Sequence, residues 1–282
     1  MKYILSLFIG LALMTAKAQN YIDIGSISYA NTPSNKFENS SEQTRVEELD
    51  LKLVFPVVID EKNVLLTGLY ANRVRVKLDQ NISGNINLNS INLLLGLNHT
   101  YSEKWSATYI FLPKIPSDLN GLSGKDFQLG LLSSFNYAKR PNLNYKIGLY
   151  ANTERYGLSV FPLLGFYYHS PDKKFETNIT LPYFANVNFQ LFEKTNVGLN
   201  FDGLGSSYNM NKRLYIDKET YAVKSSQELF AYLMIQLGTS FYVKSKLGYS
   251  IFRTYEVFEN NDKVDFSIGP FYVGDKDRKS VV

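Results

Sequence analysis

The chain has 282 residues, a formal net charge of +4 and no cysteine. Its lysines and arginines are scattered, which argues against nucleic-acid binding, because such proteins concentrate basic residues on one face. The lack of cysteine excludes a lipid-anchored lipoprotein, a disulfide framework and a thiolate metal site. Aromatic residues make up 15% of the chain, with 21 Tyr and 19 Phe, the types that populate the interfacial girdles of membrane barrels.

The first predicted element is a secretory signal peptide at residues 1–18. Lys2 provides a positive start, an apolar run covers 3–14, and Ala16-Lys17-Ala18 ends it with small residues two apart. The run is shorter than the roughly 20 residues that a membrane-spanning helix needs. We therefore expect cleavage before Gln19 and export of residues 19–282 as one domain, rather than an uncleaved anchor helix.

The dominant pattern after Gln19 is an alternation of apolar and polar residues. In 47–57 the leucines at 49, 51 and 53 share one side, and Glu48, Asp50 and Lys52 share the other. The same period recurs at 127–137, 143–151, 187–191 and 241–249. Segments of this kind, about ten residues long and separated by turn signals, are typical of a transmembrane β-barrel.

Fourteen strands are predicted along the chain, and the connections alternate between short turns and longer loops. The loops at 31–43, 79–88, 113–124 and 204–226 are expected outside the cell, and turns such as 60–62 in the periplasm. The fold class is therefore all-β, an antiparallel up-and-down transmembrane barrel. A kinked strand at 181–184 would leave twelve strands. The strands are 21–30, 44–59, 63–78, 89–101, 104–112, 125–138, 143–152, 157–169, 173–181, 185–192, 195–203, 227–237, 239–253 and 263–273.

A charge ladder is predicted inside the barrel. Pairing Asp60 with Asn63 across the first turn places Asp50 opposite Arg73 and Glu48 opposite Arg75, all facing the lumen. Lys77 prolongs this stripe toward the outside. Such charges either solvate and stiffen a polar lumen or form a constriction that filters solutes by sign. The predicted site residues are Glu48, Asp50, Arg73, Arg75 and Lys77.

Other lumen positions carry charges of both signs and many amides. Lysines 146, 244 and 246 share the inward parity with Asp202, Glu228 and Asp265, which argues against strong ion selectivity. The inward amides are Asn92, Asn144, Asn178, Asn188 and Asn200.

The two histidines, His99 and His169, have Ser102 and Ser170 nearby and keep an outer-membrane hydrolase formally open. No catalytic, metal or cofactor motif accompanies them, so we expect no enzyme and no cofactor.

The Gln after the signal peptide, the cysteine-free strands rich in Tyr and Asn, and the proline-marked segments 110–113, 160–162 and 180–182 resemble the uncharacterised outer-membrane β-barrel proteins of Bacteroidota. The resemblance covers nearly all of the mature chain. It implies a barrel in the outer membrane, and it implies no functional residue, because that group has no established activity.

The leading functional hypothesis is a channel for small polar solutes. The runner-up is a non-transporting accessory or binding barrel within a larger outer-membrane assembly, followed by an outer-membrane hydrolase and a soluble secreted β-sandwich. The expected partners are outer-membrane lipid, the barrel-insertion machinery and other envelope proteins, with no nucleic acid.

Overall fold

A computed structural model describes residues 24–37, 41–78, 84–215, 218–259, 266–268 and 279–281. The predicted signal peptide lies outside this part of the chain. The described residues are all-β, and the one helical element among them is a single 3₁₀ turn at Gly124–Asp126. No helix in these ranges has the length and hydropathy needed to span a bilayer.

Within the described ranges, thirteen long strands form one sheet in which each strand pairs antiparallel with the next in the chain. Four shorter strands accompany them: β2 (Asn35–Lys36), β3 (Gln43–Thr44), β16 (Phe266–Ile268) and β17 (Lys279–Val281). The long strands are β1 (Gly25–Asn31), β4 (Glu47–Val58), β5 (Asn63–Val76), β6 (Ile86–Thr100), β7 (Trp105–Ser117), β8 (Gln128–Arg140), β9 (Leu143–Glu154), β10 (Gly157–His169), β11 (Phe175–Leu181), β12 (Phe184–Phe192), β13 (Thr195–Tyr215), β14 (Lys218–Leu237) and β15 (Phe241–Glu259).

The first thirteen predicted strands each correspond to one of these long strands. The hairpin of β11 and β12 is present, so the twelve-strand alternative is wrong. The fourteenth predicted strand, 263–273, is not confirmed. Its described part, β16, pairs in parallel with β10 rather than antiparallel with β15. Part of the sheet closes into a barrel where β13 reaches β7 in parallel at Asn209 and Ser117, and further strands extend it.

The two ends of the barrel differ in their connections, as the sequence predicted. Connections 59–62, 101–104, 141–142, 170–174, 193–194 and 238–240 lie at one end, here called the turn end. The opposite end, called the loop end, has the connections between β1 and β4, β5 and β6, and β7 and β8, which are described at 32–37, 41–46, 77–78, 84–85 and 118–127. The two-residue connections 155–156 and 182–183 lie at this end too. In the turn 238–240, Gly238 has a φ of 74°, a conformation that favours glycine.

Each long strand exposes at least one large apolar side chain on the outward face. Leu93 and Leu95 of β6 are each 48% exposed, and Leu131 of β8 is 59% exposed. Soluble monomers rarely expose contiguous apolar surface on this scale. One such residue from each strand is Ile27, Leu49, Leu65, Leu93, Phe111, Leu131, Leu149, Leu164, Leu181, Phe189, Leu199, Leu233 and Leu247.

The outward and inward faces of β5 and β6 exchange polarity near the loop end. On β5 the outward face changes from Leu65 to Arg73 and Arg75, while the inward face changes from Asn72 to Val74. β6 shows the same change. Its outward residues change from leucines to Asn89 and Asn87, and its inward residues become Leu88 and Ile86. This polarity reversal divides the barrel into a turn-end half and a loop-end half.

Candidate functional site

The predicted charge ladder is only partly correct. Glu48 and Asp50 face the interior, but the register places Asp50 opposite Asn72 and Glu48 opposite Val74. Arg73 and Arg75 lie on the outward face, where Arg75 pairs with Glu47 at 3.7 Å. Their prediction as lumen residues is therefore wrong.

The prediction that Lys77 lies in the lumen is also wrong. It lies just beyond β5, and its Nζ donates to Glu42 Oε2 at 2.5 Å.

The first turn explains the error. Asp60 Oδ1 accepts hydrogen bonds from the backbone N–H groups of Lys62 and Asn63, both at 2.8 Å. The carbonyl oxygen of Asn63 accepts from the N–H groups of both Ile59 and Asp60, so two residues of one strand face one of the other. The register shifts by one residue, and a shift of one moves every side chain of β5 to the opposite face.

Glu48 has an interior partner that lies far away in the chain. Lys224 Nζ donates to both carboxylate oxygens of Glu48 at 2.7 Å, and the Tyr255 hydroxyl donates to Oε1 at 3.2 Å. The side chains of Lys224 and Glu48 are 6% and 11% exposed. Because the pair is almost fully buried, loss of either charge leaves the other without a counterion inside the protein.

Asp50 is held by neutral donors. Its Oδ1 accepts from the Tyr70 hydroxyl at 2.8 Å and from Asn72 Nδ2 at 2.6 Å, and its Oδ2 accepts from Ser28 Oγ at 3.3 Å. Asn72 Oδ1 in turn accepts from the Tyr208 hydroxyl at 3.4 Å. Asp50 and Glu48 thus link β4 to β13, β14 and β15.

These distant partners belong to a three-stranded sheet that crosses the loop-end half, here called the partition. It consists of residues 205–210 of β13, 220–226 of β14 and 253–259 of β15. One face presents Tyr208, Ala222 and Val257, which are directly paired across the three strands. They pack in one buried cluster with inward residues of β5 and β6, namely Val74, Val76, Ile86 and Leu88.

The second face of the partition meets β7 to β9 through polar contacts. Glu154 accepts from Lys114 Nζ at 3.0 Å and from the backbone N–H of Ser207 at 2.7 Å, and the Ser207 hydroxyl also donates to it. Gln128 Nε2 donates to Ser207 Oγ at 3.2 Å. Both faces of the partition are therefore covered by other strands of the sheet.

Asp126 anchors the partition to the loop at 118–127. Its Oδ1 accepts from Asn209 Nδ2 at 3.1 Å and from Asn211 Nδ2 at 2.9 Å, and its Oδ2 accepts from Ser123 N–H. Burial alone would raise the pKa of this carboxyl, but hydrogen bonds from Ser117, Ser123 and Asn211 outweigh burial and lower the pKa. The anchor is therefore charged at neutral pH.

The prediction of a loop at 204–226 is wrong. The residues on both sides of 216–217 extend strands β13 and β14, with pairs from Leu204/Ser226 to Met210/Thr220. A signal for this was present, because Tyr208 with Met210 and Tyr221 with Val223 keep the period of two. We interpreted the region as a loop because its many serines, asparagines and lysines resemble loop composition.

The turn-end half of the interior has a polar wall along β9 to β15. Lys146 Nζ donates to Asn178 Oδ1 at 2.6 Å, and Lys246 Nζ donates to Asn200 Oδ1 at 2.7 Å. The Tyr232 hydroxyl donates to Asn188 Oδ1 at 2.9 Å. These contacts agree with the inward parity predicted for the lysines and asparagines. Asp265 lies outside the described residues.

The histidines make no catalytic arrangement with the nearby serines. His99 Nδ1 lies 2.7 Å from Asn63 Oδ1, and His169 Nδ1 lies 2.9 Å from the Ser170 carbonyl oxygen. The hydroxyl of Ser102 accepts from backbone N–H groups of its own turn. In the described ranges no group of three His, Asp or Glu residues is arranged to hold a metal ion. Neither histidine site supports hydrolysis.

Comparison with known proteins gives one match. A protein-family profile described as a domain of unknown function, DUF6268, matches residues 14–270. No curated protein and no solved structure matches the chain.

Proposed function

We propose that this chain, which belongs to the DUF6268 family, is an outer-membrane β-barrel that passes small polar solutes through a lumen closed at its outer mouth by the partition. The partition carries the proposal, because a sheet buried on both faces leaves no constitutively open mouth. The polar wall along β9 to β15 offers the hydrogen-bonding interior that polar solutes require.

The apolar outward belt supports the membrane location. It is present on each of the thirteen long strands, and a soluble β-sandwich would leave this surface in water. Exposed aromatic residues lie near the turn end, including Tyr101, Trp105, Tyr145 and Phe241. Aromatic rings at this position suit the interface between lipid headgroups and acyl chains.

The polarity reversal on β5 and β6 supports an orientation with the loop end outside. On β5 and β6 the outward face becomes polar beyond Ala71 and Ile91, so the apolar belt ends there on these two strands. The residues beyond the reversal would extend above the membrane as a small water-exposed β-structure with its own apolar core. The short turns would then face the periplasm.

Single-channel conductance in planar bilayers tests the proposal. Gly205 and Ser225 are paired partners, so residues 206–224 can be replaced by an Asn-Gly turn that keeps the hairpin below. We expect brief openings from the unaltered protein and long-lived open steps from the shortened variant. A silent shortened variant would contradict passage through this lumen.

The partition also favours a second function, that of a non-transporting accessory barrel. Glu48→Gln distinguishes the two, because it removes the charge that holds Lys224 without removing any strand. For a channel closed by the partition, this variant opens more often than the unaltered protein. An accessory barrel stays silent in both forms and conducts only after shortening.

A further inference from the structure

The turn-end half of the lumen contains a row of amides with an ammonium group at each end. Asn178, Asn186 and Asn200 are directly paired across β11, β12 and β13. Lys146 donates to the first of these asparagines at 2.6 Å, and Lys246 donates to the last at 2.7 Å. We call these five residues the Lys-Asn row.

The charges of the row are incompletely balanced. Lys246 lies 3.7 Å from Asp202 Oδ2, a longer contact than its hydrogen bond to Asn200. Lys146 is half-buried, and in the described part of the chain its nearest recorded partner is the neutral amide of Asn178. A half-buried ammonium group loses hydration, and a neutral amide replaces that loss only in part. An anion would complete the site.

The neighbouring charges leave room for such an anion. Lys52 and Lys244 face the same half of the lumen, and the Lys244 Nζ lies 4.4 Å from the centre of the Tyr232 ring. The nearby acid Glu176 is hydrogen-bonded to the Tyr167 hydroxyl. Four lysines therefore share this half with Glu176, Asp202 and Asp50, which lies next to Lys52 on the inward face of β4.

In the turn-end half, the inward face of β4 to β8 carries a group of aliphatic residues, here called the aliphatic wall, beside polar residues such as Asn98 and Thr108. The register of β4 to β8 places a contiguous set of aliphatic residues on the inward face. All are partly exposed to the lumen, although barrel interiors are usually polar. The set consists of Val54, Pro56, Leu66, Leu94, Ile110 and Leu132.

We propose that the turn-end lumen binds a small organic anion whose carboxylate or phosphate head contacts the Lys-Asn row and whose apolar body contacts the aliphatic wall. Lysine supplies a point charge to oxyanions, and asparagine amides add N–H donors. The inference rests on the proposed function, because it names the class of solute that the lumen receives.

Three small probes separate the two parts of the site. Benzoate has both a carboxylate and an apolar ring. Benzamide has the ring without the charge, and acetate has the carboxylate without the ring. Binding is measured by saturation-transfer NMR with the protein in lipid nanodiscs. We expect benzoate to bind at least about tenfold more tightly than benzamide, the difference that one charge-assisted hydrogen bond provides. Benzoate should also bind more tightly than acetate, which lacks the apolar ring that contacts the aliphatic wall.

Lys146→Gln should weaken benzoate binding about tenfold and leave benzamide unchanged, because only the charged contact is lost. Lys146→Arg keeps the charge and should retain benzoate binding. Lys139→Gln is the matched control, since Lys139 is exposed beside Tyr145 rather than inside the lumen.

Equal binding of benzoate and benzamide, or unchanged benzoate binding by Lys146→Gln, would overturn the inference. Neither result depends on conductance. If the shortened variant conducts but benzoate does not bind, the proposal of an organic-anion site is wrong and the proposal of solute passage stands. If the shortened variant is silent but benzoate binds, passage is wrong and the anion site stands.

Discussion

The two halves of this barrel use the same strands in opposite ways. In the turn-end half, β5 and β6 turn leucines such as Leu65 and Leu93 outward, and their inward face mixes glycines and amides with the partly exposed Leu66 and Leu94. In the loop-end half, the same parity carries Arg73 and Arg75 outward and Val74 inward. The strand geometry does not change at the reversal, so the difference lies in what the inward residues contact: an interior that leaves them partly exposed below, and a packed interior above.

The ion pair between Glu48 and Lys224 should give the largest effect on stability, because it is buried in the loop-end half. Glu48→Ala leaves the Lys224 ammonium without its counterion and should cost about 3–5 kcal/mol. The double variant Glu48→Ala with Lys224→Ala should cost less than the sum of the single changes. Urea unfolding in lipid vesicles measures the cycle, and additive losses would show that the residues do not interact.

Leu88 tests the apolar core of the loop-end half. It is fully buried against the partition, so Leu88→Ala should cost about 2–5 kcal/mol through lost burial and an unfilled cavity. Leu94 lies on the same inward face of β6 but is partly exposed to the lumen, so Leu94→Ala should cost clearly less. Similar unfolding free energies for the two variants would remove the distinction between a packed and an open interior.

Leu131 tests the exterior of the turn-end half. Leu131→Arg places a charge in the apolar belt and should cost about 2–4 kcal/mol, as an arginine does near the bilayer midplane. The control is Glu103→Arg in the exposed turn at 101–104, where the change should stay within about 0.5 kcal/mol. Folding into vesicles, followed by urea titration, gives both values. An unaffected Leu131→Arg variant would argue against lipid on that face.

Substitution of Asp126 should give the smallest change in folding stability, and that change should depend on pH. Hydrogen bonds outweigh burial and lower the pKa of Asp126. Its contribution to folding stability is therefore complete above its ordinary pKa of about 3.9 and is lost as the pH falls through the lowered pKa. The urea midpoint of the unaltered protein should therefore fall in acid. Asp126→Asn should show a smaller fall over the same range. Parallel pH profiles would mean that Asp126 does not anchor the partition.

Local pattern predicted the strands well and their long-range contacts poorly. The period of two identified β4 to β15 because one face of each strand is apolar. It could not predict the register of β4 and β5, which depends on hydrogen bonds of Asp60 to the backbone of its own turn. Glu48 lies in the interior, and its partner Lys224 is 176 residues away. No local spacing identifies such a pair.

The partition was missed for a related reason. Its residues alternate as a strand does, but both of its faces are buried, so polar residues such as Ser207 and Asn209 occupy interior positions. Their hydrogen-bond partners, Glu154 and Asp126, lie on other strands and loops. Composition therefore indicated a loop where tertiary contacts make an interior sheet.

The central claim is that the partition closes the outer mouth and moves when solutes pass, and one disulfide tests it directly. Ser117 and Asn209 are paired across β7 and β13, so cysteines there are close enough to be bridged in a chain that has no other cysteine. Conductance of the Ser117→Cys, Asn209→Cys protein is recorded in planar bilayers, oxidised and then reduced. The account predicts no openings from the oxidised protein and recovered openings after reduction. Identical records from the two forms would contradict it.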